Sequence, residues 1–180
     1  DKGYPFSYTA QITYQLQDKS LHMQIELLND GIMPMPCGFG IHPYFNKTPN
    51  VRLQFKNKTV WWHENDPIDH PYKVPEEWDF SKCKEIRNMT FDTCFGGYEE
   101  CASIEWPMYG VKLNMKTDEN FGHIVLYAPF RKNFFCLEPT TMACNAFNLA
   151  SNGVVGTGIK SIGGKESITG SIIFEVEGIS

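Results

Sequence analysis

A chain of 180 residues with 42% hydrophobic and 14% aromatic content can build one sizeable core but not two comfortable ones, so a single domain over 1–180 is expected. A net charge of -5 with only three arginines argues against nucleic acid, an anionic membrane surface or a phosphate clamp. No apolar stretch approaches the length that spans a bilayer, which points to a soluble chain.

Tyr8, Ala10, Ile12, Tyr14 and Leu16 alternate with polar residues. After Asp18-Lys19-Ser20 the alternation resumes with Leu21, Met23, Ile25 and Leu27. Period two on both arms of a short polar connection predicts an antiparallel hairpin. Asn29-Asp30-Gly31 ends the second arm, and Pro34 and Pro36 carry an extended link onward.

That link enters Gly38-Phe39-Gly40-Ile41-His42-Pro43-Tyr44-Phe45-Asn46. Glycines there permit close approach, and Pro43 biases His42 towards extended backbone, so the segment reads as a strand running into a loop. A histidine so held can act as general acid or base. On residue type alone, a core histidine with both nitrogens satisfied carries equal weight.

Residues 51–55 and 59–62 read as short strands about the polar Lys56-Asn57-Lys58. The stretch 64–88, with Pro67, Pro71 and Pro75, reads as an irregular surface excursion near the site. It follows His63 and carries His70 and Trp78, without regular metal-ligand spacing. Further strands are expected at 102–106, 111–115, 124–127, 133–137 and 167–177, with a glycine-rich loop at 153–164 and no sustained helical periodicity. Short strands at this spacing predict an antiparallel sandwich.

Glu138 closes the apolar run 133–137 and precedes Pro139, at the end of a half-buried strand. Burial raises a carboxyl's pKa, which suits a base working near neutrality. Six cysteines include no CxxC pair, so structural zinc is not expected; free thiols and a cytoplasmic setting are. Three Asn-X-Thr triplets (Asn46, Asn57, Asn88) are compatible with secretion. No signal peptide opens the chain, and the start at Asp1 without Met points to an upstream segment.

Gly40-Ile41-His42-Pro43-Tyr44-Phe45-Asn46, Leu137-Glu138-Pro139 and Asn145-Ala146-Phe147-Asn148 together resemble the aldose 1-epimerase (galactose mutarotase) family. Between them, Thr90-Phe91-Asp92-Thr93-Cys94-Phe95 resembles that family's substrate-binding aspartate motif. The resemblance implies an all-β fold, the large twisted antiparallel β-sandwich of galactose mutarotase-like proteins, here lacking its N-terminal strands. Family members carry an active-site arginine and a further histidine in that upstream part, and no residue here matches them. A segment preceding Asp1 is the partner expected to complete the sandwich.

The resemblance further implies interconversion of the α and β anomers of a free hexose such as galactose or glucose, with no metal or organic cofactor. Glu138 is implied as base, His42 as acid, and Asp92 as the hydrogen-bonding partner of sugar hydroxyls. Phe39, Tyr44 and Trp78 are candidates for the substrate-binding wall. Two alternatives stand beside this: a non-catalytic carbohydrate-binding module, and a hexose-6-phosphate 1-epimerase, which wants a cationic cluster not apparent in the sequence. An acid and a base flanking two oxygens on one carbon must lie within about 8 Å of each other.

Overall fold

The hairpin opens the fold. Strands β1 (Tyr8–Gln17) and β2 (Ser20–Asn29) pair antiparallel in one unbroken register from Tyr8↔Asn29 to Gln17↔Ser20. The computed structural model describes residues 3–61 and 70–179; Trp62, His63 and the start of the expected irregular stretch lie outside them. Then follow β3 (Met35–Cys37), β4 (Tyr44–Asn46), β5 (Arg52–Phe55), β6 (Thr59–Trp61), β7 (Tyr72–Lys73), β8 (Lys84–Glu85) and β9 (Phe91–Gly96). The second half adds β10 (Cys101–Trp106), β11 (Val111–Thr117), β12 (His123–Ala128), β13 (Phe134–Thr140), a short helix α1 (Ala146–Ser151), β14 (Lys160–Ile162) and β15 (Ser167–Gly178).

Among the described residues these strands form two large antiparallel sheets. One has the order β1-β2-β15-β11-β10-β5-β8, the other β4-β13-β12-β9-β6-β7, and β14 with β3 makes a separate ladder. The fold is therefore the all-β, antiparallel sandwich expected. Alternate side chains of both sheets meet in the interior, where Phe55, Phe80, Phe95, Phe121 and Phe135 are almost fully buried. Phe55 stacks on Phe80 at 4.9 Å and takes Phe95 edge-on at 5.3 Å. No helix of the described residues is long and apolar enough to cross a membrane.

The structure departs from the sequence reading in three places. The described part of the proline-rich stretch is no surface excursion. It adds β7 to the edge of one sheet and β8 to the edge of the other, and it buries Phe80 and Ile86 completely. No strand is expected over the motif 90–95, yet residues 91–96 form an inner strand between β12 and β6, with Phe91 and Phe95 in the core. The six residues of α1 span under two turns, too few for a helical period to register.

Candidate active site

Along β13, Phe135 and Leu137 point into the sandwich, while the pleat sends Cys136, Glu138 and Thr140 to the opposite face. The preceding link runs antiparallel beside this strand. Gly40 bridges Thr140, and Tyr44 pairs with Cys136 in the same register, so His42 stands directly across from Glu138. Gly40 is needed for the approach: a Cβ there would lie 2.9 Å from the Thr140 Cβ and 3.0 Å from the Pro139 carbonyl. Ile41 N–H donates to the Pro139 carbonyl and Thr141 N–H to that of Phe39, which fastens the link on either side. Pro43 has no N–H to add to the ladder.

The result is an imidazole and a carboxylate in contact, His42 Nε2 to Glu138 Oε1 at 3.3 Å. Their exposures differ. The His42 side chain is 53% exposed and that of Glu138 14%, so His42 is not a packed core histidine. Burial pushes the Glu138 carboxyl above its usual range, His42 pulls it back, and the negative charge of Asp92 pushes it up again. Tyr44 stacks on the imidazole at 5.0 Å with the rings 17° apart. The pair opens into a cleft of about 490 Å³, lined by Gly40, Val125, Met142, Cys144 and Asn148 among others.

The other expected site residues divide. Asp92 is exposed on β9, on the face that carries Glu138. Glu138 shares a row with Val125 and Cys94, and Cys136, Tyr127 and Asp92 form the next row. Phe39 and Trp78 do not join this cleft. Phe39 has the opposite parity to His42, meets Phe121 edge-on at 5.8 Å and packs against the core. Trp78 packs on Phe91, the core-facing neighbour of Asp92, at 5.6 Å.

Several residues at the site were not singled out from the sequence. Cys136 is fully buried, and its sulfur lies within 4.8 Å of ligand atoms of both His42 and Glu138, a triangle that could hold a metal ion. Burial and the Glu138 charge push that thiol up to about 11, so it keeps its proton at neutral pH and ligates poorly. The arrangement is better suited to proton transfer between the other two. Beside it the Cys94 and Cys144 thiols influence each other: the interaction with Cys144, together with burial, raises Cys94, and the interaction with Cys94 lowers Cys144. All six cysteines are free thiols. Strand parity was the available signal, since Asp92, Cys94, Cys136 and Glu138 are all even-numbered and share one face. The structure also gathers Lys47, Arg87, Arg131 and Lys132 around one pocket, a cationic cluster the sequence did not reveal.

Two antiparallel sheets with this order define a galactose mutarotase-like sandwich, with His42 and Glu138 on the outer face of one. A candidate aldose 1-epimerase from Escherichia coli K12 has the same fold, with a TM-score of 0.83 at 22% identity; the match covers 97% of this chain and 62% of that one. A galactose mutarotase-like protein from Clostridium acetobutylicum gives 0.81 at 20% identity, over 99% of this chain and 60% of the other. In sequence, the chain is 24% identical over 147 residues to YphB of Escherichia coli K12, an uncharacterized protein, matching 77% of this chain and 51% of the relative. The family model for aldose 1-epimerase matches residues 1–161, and the chain belongs to that family. It spans about half the length of YphB.

Proposed function

We propose that the protein of which this chain forms part is an aldose 1-epimerase acting on a free hexose, galactose or glucose, with Glu138 and His42 as its base and acid. The observation that carries this is the 3.3 Å contact between a half-exposed imidazole and a carboxyl raised by burial, at the wall of an open cleft. Glu138 takes the proton of the C1 hydroxyl while His42 gives one to the ring oxygen. The bond from C1 to the ring oxygen breaks, leaving an open-chain aldehyde. Rotation about C1–C2 and closure with the two roles exchanged returns both protons and yields the other anomer. At 3.3 Å the pair leaves no room for a carbon between them. Substrate therefore displaces the half-exposed His42 imidazole, which is stacked on Tyr44. Asp92 holds sugar hydroxyls one row along the sheet.

The exposed apolar side of β1 supports a second element of the proposal. Ile12, Tyr14 and Leu16 are 47%, 61% and 79% exposed, a face that strands preceding Asp1 would cover in a longer chain. A non-catalytic sugar-binding module is the competing reading, because the upstream histidine and arginine implied by the resemblance have no counterpart here. Polarimetry of galactose and glucose mutarotation separates the two. Glu138→Gln and His42→Asn are each expected to lower kcat by roughly 10²–10⁴-fold, the usual contribution of a positioned acid or base. Activity unchanged in both variants would sink the epimerase reading, and sugar binding without any acceleration would favour the module.

A further inference from the structure

The cationic pocket lies outside the cleft just described. It measures about 550 Å³, and its described lining residues include Lys47, Arg87, Arg131 and Lys132 but no carboxylate. These four include two of the three arginines in a chain of net charge -5. Like charges crowd here against the balance of the molecule. None of the four pairs with a carboxylate among the described residues. Their positions are held by backbone rather than by ion pairs. Lys47 N–H donates to the Asn133 carbonyl, and the half-buried Lys47 Nζ to the Met89 carbonyl at 2.9 Å, which ties together the three segments that meet at the pocket. Arg131 sits at φ 55, in the left-handed region, with its guanidinium over the Phe130 ring at 4.8 Å. A strained arginine in a turn, stacked and without an anionic partner, is an unsatisfied planar donor set.

The pocket has a defined relation to the acid–base pair. Thr90 lines it, Asp92 follows two positions on, and Cys94 two positions further shares the row of Glu138. Four strand positions are about 13 Å, so the pocket lies beyond Asp92, past the reach of a single pyranose ring placed at Glu138. We propose that it is an oxyanion subsite for an extended saccharide, taking the phosphate or carboxylate group carried beyond the sugar ring that meets His42 and Glu138. The proposal rests on the sugar-binding part of the functional reading, not on catalysis. Guanidinium and ammonium donors suit either oxyanion, arginine by a two-pronged contact.

The test has two arms. In the first, inorganic phosphate is titrated into the full chain and followed by NMR. Saturable shifts are expected at Lys47, Thr90 and Arg131, weakening with added sodium chloride. In Arg87→Gln/Arg131→Gln the affinity should fall roughly tenfold or more, the scale of one lost charge-assisted hydrogen bond. Both side chains are exposed, so the variant should fold; if it does not, Arg87→Gln and Lys132→Gln singly should each show part of the loss. In the second arm, calorimetry compares two anionic disaccharides, digalacturonate and lactose 6′-phosphate, with their neutral counterparts galactobiose and lactose. At least one anionic sugar should bind about tenfold tighter than its neutral counterpart in the parent but not in the variant, and which one separates carboxylate from phosphate. Absent or variant-insensitive phosphate shifts overturn the subsite, and phosphate binding without any gain for either anionic sugar overturns its link to saccharides. A polarimetric failure would count against epimerase activity alone and leave both arms readable.

Discussion

Glu138 carries a stability cost together with its proposed chemical role. Burial raises its carboxyl, Asp92 adds to the rise and His42 only partly offsets it. The folded chain therefore holds that proton to higher pH than the unfolded chain does. This favours the native state fully below the ordinary carboxylate range, and the advantage is lost as pH climbs through the raised value. At neutral pH the native state keeps a charge where burial disfavours it. Glu138→Gln should accordingly raise Tm at pH 7.5, and the difference should close towards pH 4, where the parent carboxyl is also neutral. A variant that melts lower than the parent at pH 7.5 would mean that the contact with His42 outweighs burial. The same shift sets a kinetic expectation: the acid limb of kcat/KM should fall at a pH above the ordinary carboxylate value, because the base must be ionised.

At the scale of elements, the cleft is a register effect on one side and a loop effect on the other. The link before β4 brings His42 opposite Glu138, while the chain from Thr141 to Gly158 covers part of the same sheet face. There Trp61, Cys94, Ala143 and Leu149 form a small cluster of their own. Ala143 N–H donates to the Thr157 carbonyl, and the His123 ring contacts the Gly156 carbonyl at 3.1 Å. Gly158 is the tightest point of this cover. It sits at φ +78, and a Cβ there would lie 2.2 Å from the Thr141 carbonyl and 2.9 Å from His123 Cε1. Gly158→Ala should therefore cost roughly 2–4 kcal/mol, backbone strain plus overlap, read as a lower urea midpoint at unchanged m. An unshifted midpoint would show that the loop yields without loss.

At the scale of the whole molecule, the sandwich is unevenly covered. β15 packs between β2 and β11, whereas β1 is exposed along its entire length and, among the described residues, pairs on one edge only. A ten-residue edge strand with an apolar face invites self-association. Ile12→Lys should leave the Tm of this 180-residue chain within the small range of surface substitutions and reduce light scattering on concentration. In a longer chain whose upstream strands cover β1, the same change should cost about 1.5–3 kcal/mol, the burial free energy of one such side chain. An equal and small effect in both chains would count against the covering segment.

The hairpin was legible because alternation along β1 and β2 is local, and the pleat converts it directly into an inner and an outer face. Glu138 at the end of an apolar run was legible for the same reason. β9 was harder to read as a strand, since Thr93 and Cys94 are buried on opposite faces and the contrast between faces is lost. Phe80 and Ile86, isolated among polar and charged residues, carried no period at all. The sequence by itself determined which residues could lie on one face of a strand and which could transfer a proton. Only the tertiary structure decided that His42 stands opposite Glu138, that Phe39 and Trp78 turn towards the core, and that Lys47, Arg87, Arg131 and Lys132 surround one pocket. Each of these depends on which distant strands pair and in what register, and local patterns report a strand's faces but not its neighbours.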